Sequence, residues 1–239
     1  MRTTTRILVT GMCVVALAGC ASAEPPAQEP GSTVTDPSPT ASPSPSASPS
    51  TPAPVADVPP EVMLPATAWE NLGPDAAREE SAGVLEWRVP EACAAGSPAT
   101  AVAMRTVQTG TGEVESPFGV HQVAVLADAD AAVAEMDRLA AALAGCTPTP
   151  PGDPTVYVAE PLAVGAQGIG LATVYYPPPE GSSIDDAMGT YLTVTRRGNA
   201  VSLVGLHSGE GRVGVARQTV VPGAQAAWEL LCSYDSAGC

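Results

Sequence analysis

Alternation of hydrophobic and polar positions predicts a series of short β-strands. The segments with this pattern are residues 84–89, 100–108, 120–126, 155–158, 169–176, 191–197 and 200–206. Turn residues separate most of these segments, and several of the connections are short. Short connections are typical of antiparallel strands, so we expect an antiparallel sheet.

The clearest hairpin in the chain joins the last two of these strands. Its turn is Gly198-Asn199, a two-residue loop in which positive φ angles match the twist of the flanking strands. Counting outward from this turn pairs Val194 with Leu203. We expect the face that carries both side chains to be buried.

Two segments have helical periodicity. The first starts at Asp128 and Asp130, whose carboxylates can cap free N–H groups, and ends at Gly145. The second runs from Val221 or Pro222 to residue 231, with proline in its first turn. Strands and helices together predict an α+β fold: a twisted antiparallel sheet with two main helices packed on one face.

The first nineteen residues have the layout of a secretion signal. Arg2 and Arg6 give a positive start, and residues 7–17 form an apolar stretch too short to cross the ~30 Å hydrocarbon core as a helix. The sequence LAGC that ends at Cys20 resembles the lipobox of bacterial lipoproteins. This resemblance implies cleavage just before Cys20 and attachment of diacylglycerol to its thiol.

A second cleavage site overlaps this region. Residues 21–23 form an A-x-A sequence, and cleavage there would release a soluble protein that begins at Glu24. We expect the lipoprotein form, which is anchored to the cell membrane. The predicted organisation is a signal peptide (1–19), a lipidated Cys20 with a disordered linker rich in Pro, Ser and Thr (20–60), and a folded domain (61–239).

The charge of the chain argues against one class of binding partner. The 239 residues include 10 basic and 25 acidic side chains, so the formal net charge is −15. Such a charge repels phosphate backbones, which argues against nucleic-acid binding.

The cysteines agree with an exported protein. Outside the signal and Cys20, four remain: Cys93, Cys146, Cys232 and Cys239. An even number outside the cytoplasm predicts two disulfides, and three connectivities are open. We favour Cys93 with Cys146 and Cys232 with Cys239, since the second pair would clamp the C-terminal tail to its helix. A zinc site is the disfavoured alternative, because no C-x-x-C pair is present.

A family resemblance adds to this picture. The helix that ends LAGC at Cys146, the hairpin around Gly198-Asn199, and the C-terminal helix with Trp228 and Cys232 resemble actinobacterial lipoproteins and the extracellular sensor domains of PknH-like receptor kinases. The resemblance covers about residues 64–239. It implies a twisted antiparallel sheet with helices, two disulfides and a cleft for an extracellular ligand.

Candidate catalytic residues are few. The two histidines are His121, in a predicted strand, and His207, just after one, and no G-x-S-x-G elbow surrounds a serine. Histidine in a strand is more often a hydrogen-bonded structural group than a base. We therefore expect a domain that is not an enzyme and uses no cofactor.

Other candidate sites have simpler explanations. The glycine-rich residues 165–170 precede a strand and lack the order of a nucleotide loop, so we expect a turn. The pairs 128/130 and 185/186 lack a calcium-loop pattern, so we expect helix capping and a solvated loop. Arg196 and Arg197 are expected to be solvated charges, and Trp228 a core residue, although Trp69 and Trp87 could line a sugar or lipid site.

The function that the sequence favours is a membrane-anchored, non-catalytic binding domain. Its partners would be the membrane, through the lipid, and a cell-envelope ligand or protein. Two alternatives stay open: an envelope hydrolase that uses His121 or His207, and a structural or adaptor lipoprotein without a small ligand. A deep cleft favours ligand binding, whereas a flat apolar patch favours an adaptor.

Overall fold

The computed structural model describes residues 56–73, 76–110, 116–148 and 150–239. The predicted signal peptide, Cys20 and most of the predicted linker lie outside these ranges. The regular elements within them are β1 Arg78–Ala82, β2 Ala101–Thr109, β3 Phe118–Leu126, α1 Ala129–Ala144, β4 Val156–Leu162, β5 Gly168–Val174, β6 Gly189–Arg197, β7 Ala200–His207 and α2 Val213–Leu230, with several short 3₁₀ turns.

The strands form one antiparallel sheet in the order β1-β2-β3-β7-β6-β5-β4. This confirms the predicted antiparallel sheet. The central β6–β7 hairpin has the predicted register, in which Arg197 faces Ala200 and Val194 faces Leu203. Gly198 in its turn has a φ of 54°, which favours glycine. A Cβ atom there would also collide with the carbonyl group of Tyr234.

The two helices lie on opposite faces of the sheet, so the prediction that they share one face is wrong. Val194 and Leu203 pack with α1 in one core cluster, whereas Tyr191 and Val204 pack with α2 in another. The reason is visible in β3, where residues 119–126 are all buried. Both faces of β3 are thus removed from solvent, which requires cover on both sides of the sheet.

Two predictions about the positions of secondary-structure elements are wrong. Residues 84–89 are not a strand; the edge strand is the charged segment Arg78–Ala82, which pairs with β2 alone. The last helix begins at Val213, and Pro222 lies inside it. Pro222 cannot donate to the carbonyl of Gln218, but Gln218 is exposed, so water can bond that carbonyl.

Packed structure begins before the expected boundary at residue 61. Val58 is only 2% exposed and belongs to a core cluster with Leu231 and Tyr234. Its carbonyl accepts a hydrogen bond from Arg105 Nε (2.7 Å), and the hydroxyl of Tyr234 donates to the carbonyl of Asp57 (2.7 Å). The chain is therefore held against the sheet from about Asp57 onward.

Two disulfides are formed within the described part of the chain. Cys93 is bonded to Cys146 and Cys232 to Cys239, with Cα–Cα distances of 4.0 and 4.7 Å. These are the pairs that the sequence favours. The first ties the segment between β1 and β2 to the end of α1, and the second closes the tail that follows α2.

Candidate binding cleft

An open cleft of about 850 Å³ lies along the segment between β1 and β2. We call it the 85–96 cleft, because its lining residues are Leu85, Glu86, Trp87, Arg88, Val89, Pro90, Glu91, Ala94, Ala95 and Gly96. A volume of this size falls within the range of small-molecule sites.

The segment 85–96 forms the wall of the cleft, and the end of this wall near Cys93 is attached to α1. Cys93 is bonded to Cys146, which lies just beyond the helix. Beside this bond, the N–H of Thr147 donates to the carbonyl of Ala92 over 3.1 Å. A covalent link and a backbone hydrogen bond thus hold a segment that has no strand pairing of its own.

Trp87 attaches the part of the wall around residue 87 to α1, on the side that faces the core. It is 3% exposed, and its indole N–H donates to the carboxylate of the equally buried Glu135 on α1 over 2.7 Å. Arg138 pairs with the same carboxylate (2.6 Å) and also donates to the carbonyl of Ala95 in the wall. The hydrogen bonds that Arg138 donates to Glu135 raise the pKa of the Arg138 guanidinium. Trp87 is therefore an anchor rather than an exposed sugar platform.

Gln122 on β3 fixes the wall from the sheet side. Its side-chain oxygen accepts the N–H of Arg88 (2.6 Å), and its Nε2 donates to the carbonyl of Glu86 (3.1 Å) and to Thr106 Oγ1 (3.0 Å). One amide side chain thus bonds the backbone of the wall much as a neighbouring strand would. Gln122 was not predicted as a site residue from the sequence, although a single amide within the largely apolar strand 120–126 was a signal.

Arg88 carries the free positive charge of the cleft. Its side chain is exposed and, among the described residues, has no hydrogen-bond or ion-pair partner. Every other described arginine side chain has one; these are Arg78, Arg105, Arg138, Arg196, Arg197, Arg212 and Arg217. Glu86 and Glu91 also line the cleft, so a ligand would meet charges of both signs.

His121 is a buried structural group. Its Nδ1 accepts the backbone N–H of Leu64 (2.9 Å), so the ring proton resides on Nε2, which donates to Ser202 Oγ (3.0 Å). Burial, with a smaller effect from the charge of Arg78, lowers the pKa of His121 to about 3. A ring in this tautomer has no free nitrogen with which to take a proton from Ser202.

His207 is also held neutral. Its ring stacks on Phe118 with centroids 4.8 Å apart. Burial, and secondarily the charge of Arg88, lowers its pKa to about 4. Its Nε2 is buried and lacks a hydrogen-bond partner among the described residues. Neither histidine is thus arranged as a base beside a nucleophile.

The two arginines of the hairpin are engaged rather than solvated, contrary to expectation. Arg196 donates to Gln167 Oε1 (2.7 Å). Arg197 lies over the ring of Trp228 at 4.3 Å from its centroid and pairs with Asp235 at 3.6 Å. These contacts tie the hairpin turn to the C-terminal tail. Trp228 is half-buried, and Trp69 is only 2% exposed.

The remaining candidates have structural roles. Asp128 caps α1 by accepting the N–H of Ala131 (2.8 Å), as predicted. The turn expected at 165–170 is shorter than predicted: residues 165–167 precede β5, and residues 168–170 belong to that strand. Asp185 lies in a short 3₁₀ turn and pairs with Arg217 at 3.1 Å. Within the described ranges, no three His, Cys, Asp or Glu side chains converge as metal ligands do. No helix in those ranges is long and apolar enough to span a bilayer.

Comparison with known proteins finds a similarity to a solved structure. No protein-family model and no curated protein sequence matches the chain. Among solved structures, the crystal structure of the extracellular domain of PknH from Mycobacterium tuberculosis matches with a TM-score of 0.44 and 11% sequence identity, over 68% of this chain and 92% of that chain.

Proposed function

We propose that the chain is a lipid-anchored extracytoplasmic protein whose folded domain binds an envelope ligand or partner in the 85–96 cleft without catalysing a reaction. The observation that carries this proposal is the construction of the cleft. Its wall is fixed by the Cys93–Cys146 disulfide and by the bond from Trp87 to Glu135, while Arg88 projects an unpaired charge. A preorganised wall lowers the entropic cost of binding.

Export is supported by two independent features of the sequence. The signal pattern before Cys20 is that of a bacterial lipoprotein. Disulfides form and persist outside the cytoplasm, and the four cysteines of the folded domain form two. Two acyl chains supply a lasting membrane attachment, at about 0.8 kcal/mol for each buried CH₂.

The non-catalytic assignment is supported by the state of both histidines. His121 uses Nδ1 as an acceptor for a backbone N–H, and burial lowers the pKa of His207 to about 4. A general base needs a free nitrogen near its nucleophile and a pKa near the working pH. A histidine-dependent turnover that survives His121→Asn but is lost in His207→Phe would contradict this assignment.

Anchoring is tested by Cys20→Ser. We expect the native chain to partition with membranes and to carry a diacylglycerol mass on Cys20. The variant should lose that mass and remain uncleaved at this site. Cys13→Ser is the matched control, since Cys13 lies in the predicted signal and its removal should change neither property. Recovery of unmodified native chain in the cytosol would overturn the proposal.

Binding in the cleft is tested by photo-crosslinking in intact cells. A photoreactive amino acid replaces Leu85, an exposed residue of the cleft, in one strain and Gln218, an exposed residue of α2 on the opposite face, in the control strain, so that Arg88 is kept in both. We expect an adduct of defined mass from position 85 that position 218 does not give. Equal adducts from both positions, or none from position 85, would refute the assignment of the cleft.

A further inference from the structure

A second, smaller cleft of about 380 Å³ lies near the start of β4 and the end of β5. We call it the tyrosine cleft. Its lining residues are Asp153, Pro154, Thr155, Tyr175, Tyr176, Met188, Gly209 and Glu210. None of them belongs to the 85–96 cleft, so this site is separate from the one proposed above.

The aromatic side of the tyrosine cleft is partly rigid and partly open. Tyr175 donates its hydroxyl to the carbonyl of Ser208 (3.0 Å), and its backbone N–H donates to the carbonyl of Met188 (2.9 Å). Tyr176 is 63% exposed and the side chain of Met188 is 40% exposed. Both residues line the same cleft, and aromatic residues and methionine are enriched at surfaces where proteins bind partners.

The charged groups that line the tyrosine cleft are all negative. They are the carboxylates of Asp153 and Glu210. Asp153 accepts the N–H of Thr155 (2.7 Å), and its hydrogen bonds to Thr155 hold the pKa of its carboxyl below the ordinary value. It therefore stays ionised in any mildly acidic or neutral medium.

Together these groups match an organic cation better than a metal ion. A divalent cation such as Ca²⁺ takes six or more oxygen ligands, whereas this cleft offers two carboxylates beside aromatic and thioether surface. An ammonium group is attracted both by the negative face of a tyrosine ring and by nearby carboxylates. The hydroxyl of Tyr175 is already bonded to Ser208, so ring faces and charge, rather than new directional hydrogen bonds, remain to recognise a ligand.

We propose that the tyrosine cleft binds a quaternary ammonium group. Such a group needs no hydrogen-bond acceptor, and cation–π contact with charge neutralisation supplies its recognition. Tyr176 contributes the accessible ring, and Asp153 and Glu210 contribute the neutralising charge. The activity goes beyond the function proposed above, because neither the lipid anchor nor the 85–96 cleft takes part in it.

The test is calorimetric titration of the purified mature chain in non-ionic detergent with choline, and with its uncharged isostere 3,3-dimethyl-1-butanol. We expect saturable binding of choline that weakens with added NaCl, and no binding of the isostere. Absence of saturable choline binding, or equal binding of the two compounds, would overturn the proposal.

Matched variants locate the site. Tyr176→Ala should weaken choline binding about fivefold, since it removes the ring, whereas Tyr176→Phe should keep affinity within about twofold. Glu210→Gln should weaken binding by a factor of about three. Glu79→Gln, an exposed acid on the far edge strand β1, should leave it unchanged.

Two further outcomes decide against an ammonium site here. If Ca²⁺ bound to the chain, Glu210→Gln abolished that binding and choline did not compete, the cleft would be a metal site. If Tyr176→Ala left choline affinity unchanged, choline would bind elsewhere. Both readouts are independent of the crosslinking at position 85, so this inference and the proposed function fail separately.

Discussion

The backbone N–H of Leu64 donates a hydrogen bond to Nδ1 of His121 over 2.9 Å, and both residues are almost completely buried. This bond attaches the segment before β1 to the interior strand β3 on the face that carries α2. Because Nδ1 acts as the acceptor, His121 must stay neutral for the segment to remain in place. Protonation of this ring is therefore coupled to the packing of the N-terminal part of the domain.

The buried histidines predict loss of stability in acid. The pKa values of His121 and His207 are lowered from the ordinary 6.5 to about 3 and about 4. The unfolded chain takes up protons near pH 6.5 but the folded chain does not, so the stabilisation is complete above pH 6.5 and declines as the pH falls toward these values. At pH 5 each histidine should lower the free energy of unfolding by roughly 2 kcal/mol, measured by urea unfolding at pH 7.5 and 5.

His207→Phe separates the two contributions. Phenylalanine keeps an aromatic ring to stack on Phe118 and removes a buried Nε2 that has no partner within the described ranges. We expect no loss of stability at pH 7.5 and about half of the native decline at pH 5. An unchanged decline would mean that His207 is not neutral in the folded state.

Gly198→Ala should destabilise the domain by more than about 3 kcal/mol. The substitution places a side chain at a φ of 54° and drives its Cβ into the carbonyl group of Tyr234. Gly181→Ala is the matched control, because Gly181 also has a positive φ (87°) but open space around its Cβ position. It should cost only about 1 kcal/mol of strain in chemical unfolding. Similar losses for both variants would contradict the contact.

The disulfides should contribute unequally to stability. The bond between Cys93 and Cys146 spans 53 positions and the bond between Cys232 and Cys239 spans 7. Loop-closure entropy gives about 4 kcal/mol for the first and about 2.5 kcal/mol for the second. Paired serine substitutions and urea unfolding under oxidising conditions test this order.

Non-reducing peptide mapping should link the same pairs, and a peptide joining Cys93 to the tail would refute them.

Arg138→Met should destabilise the wall of the 85–96 cleft. The change leaves the carboxylate of Glu135, only 5% exposed, with the indole N–H of Trp87 as its remaining side-chain partner among the described residues. The expected loss is about 2–4 kcal/mol of unfolding free energy. Adding Glu135→Gln to this variant removes the unpaired charge and should restore at least half of the loss. A double variant no more stable than Arg138→Met would show that the ion pair is not the cause.

Short-range signals in the sequence were sufficient to predict several elements of the fold. The turn Gly198-Asn199 determines its own hairpin register, because few turn types fit two residues between twisted strands. Asp128 and Gly145 mark the ends of α1, because capping and termination depend on neighbouring backbone groups. The count of cysteines likewise indicated two disulfides, although not by itself their pairing.

Other features depended on contacts between distant segments. Residues 84–89 have a strand-like pattern, yet Gln122 and Glu135 hold them as the wall of a cleft. Pro222 resembles a helix start, yet the apolar residues before it continue α2 back to Val213. In both cases tertiary packing overrides a local preference worth only about 1–3 kcal/mol.

The sequence by itself determined the export signal pattern, the acidic charge, the antiparallel hairpin and the supply of cysteines, since each depends on composition or on neighbours along the chain. The tertiary structure alone decided that the helices cover opposite faces, that His121 accepts a hydrogen bond from Leu64, and that Arg88 stands unpaired at the edge of a cleft. These features depend on which side chains from distant segments come into contact. The alternation of apolar and polar residues along a single strand does not specify those contacts.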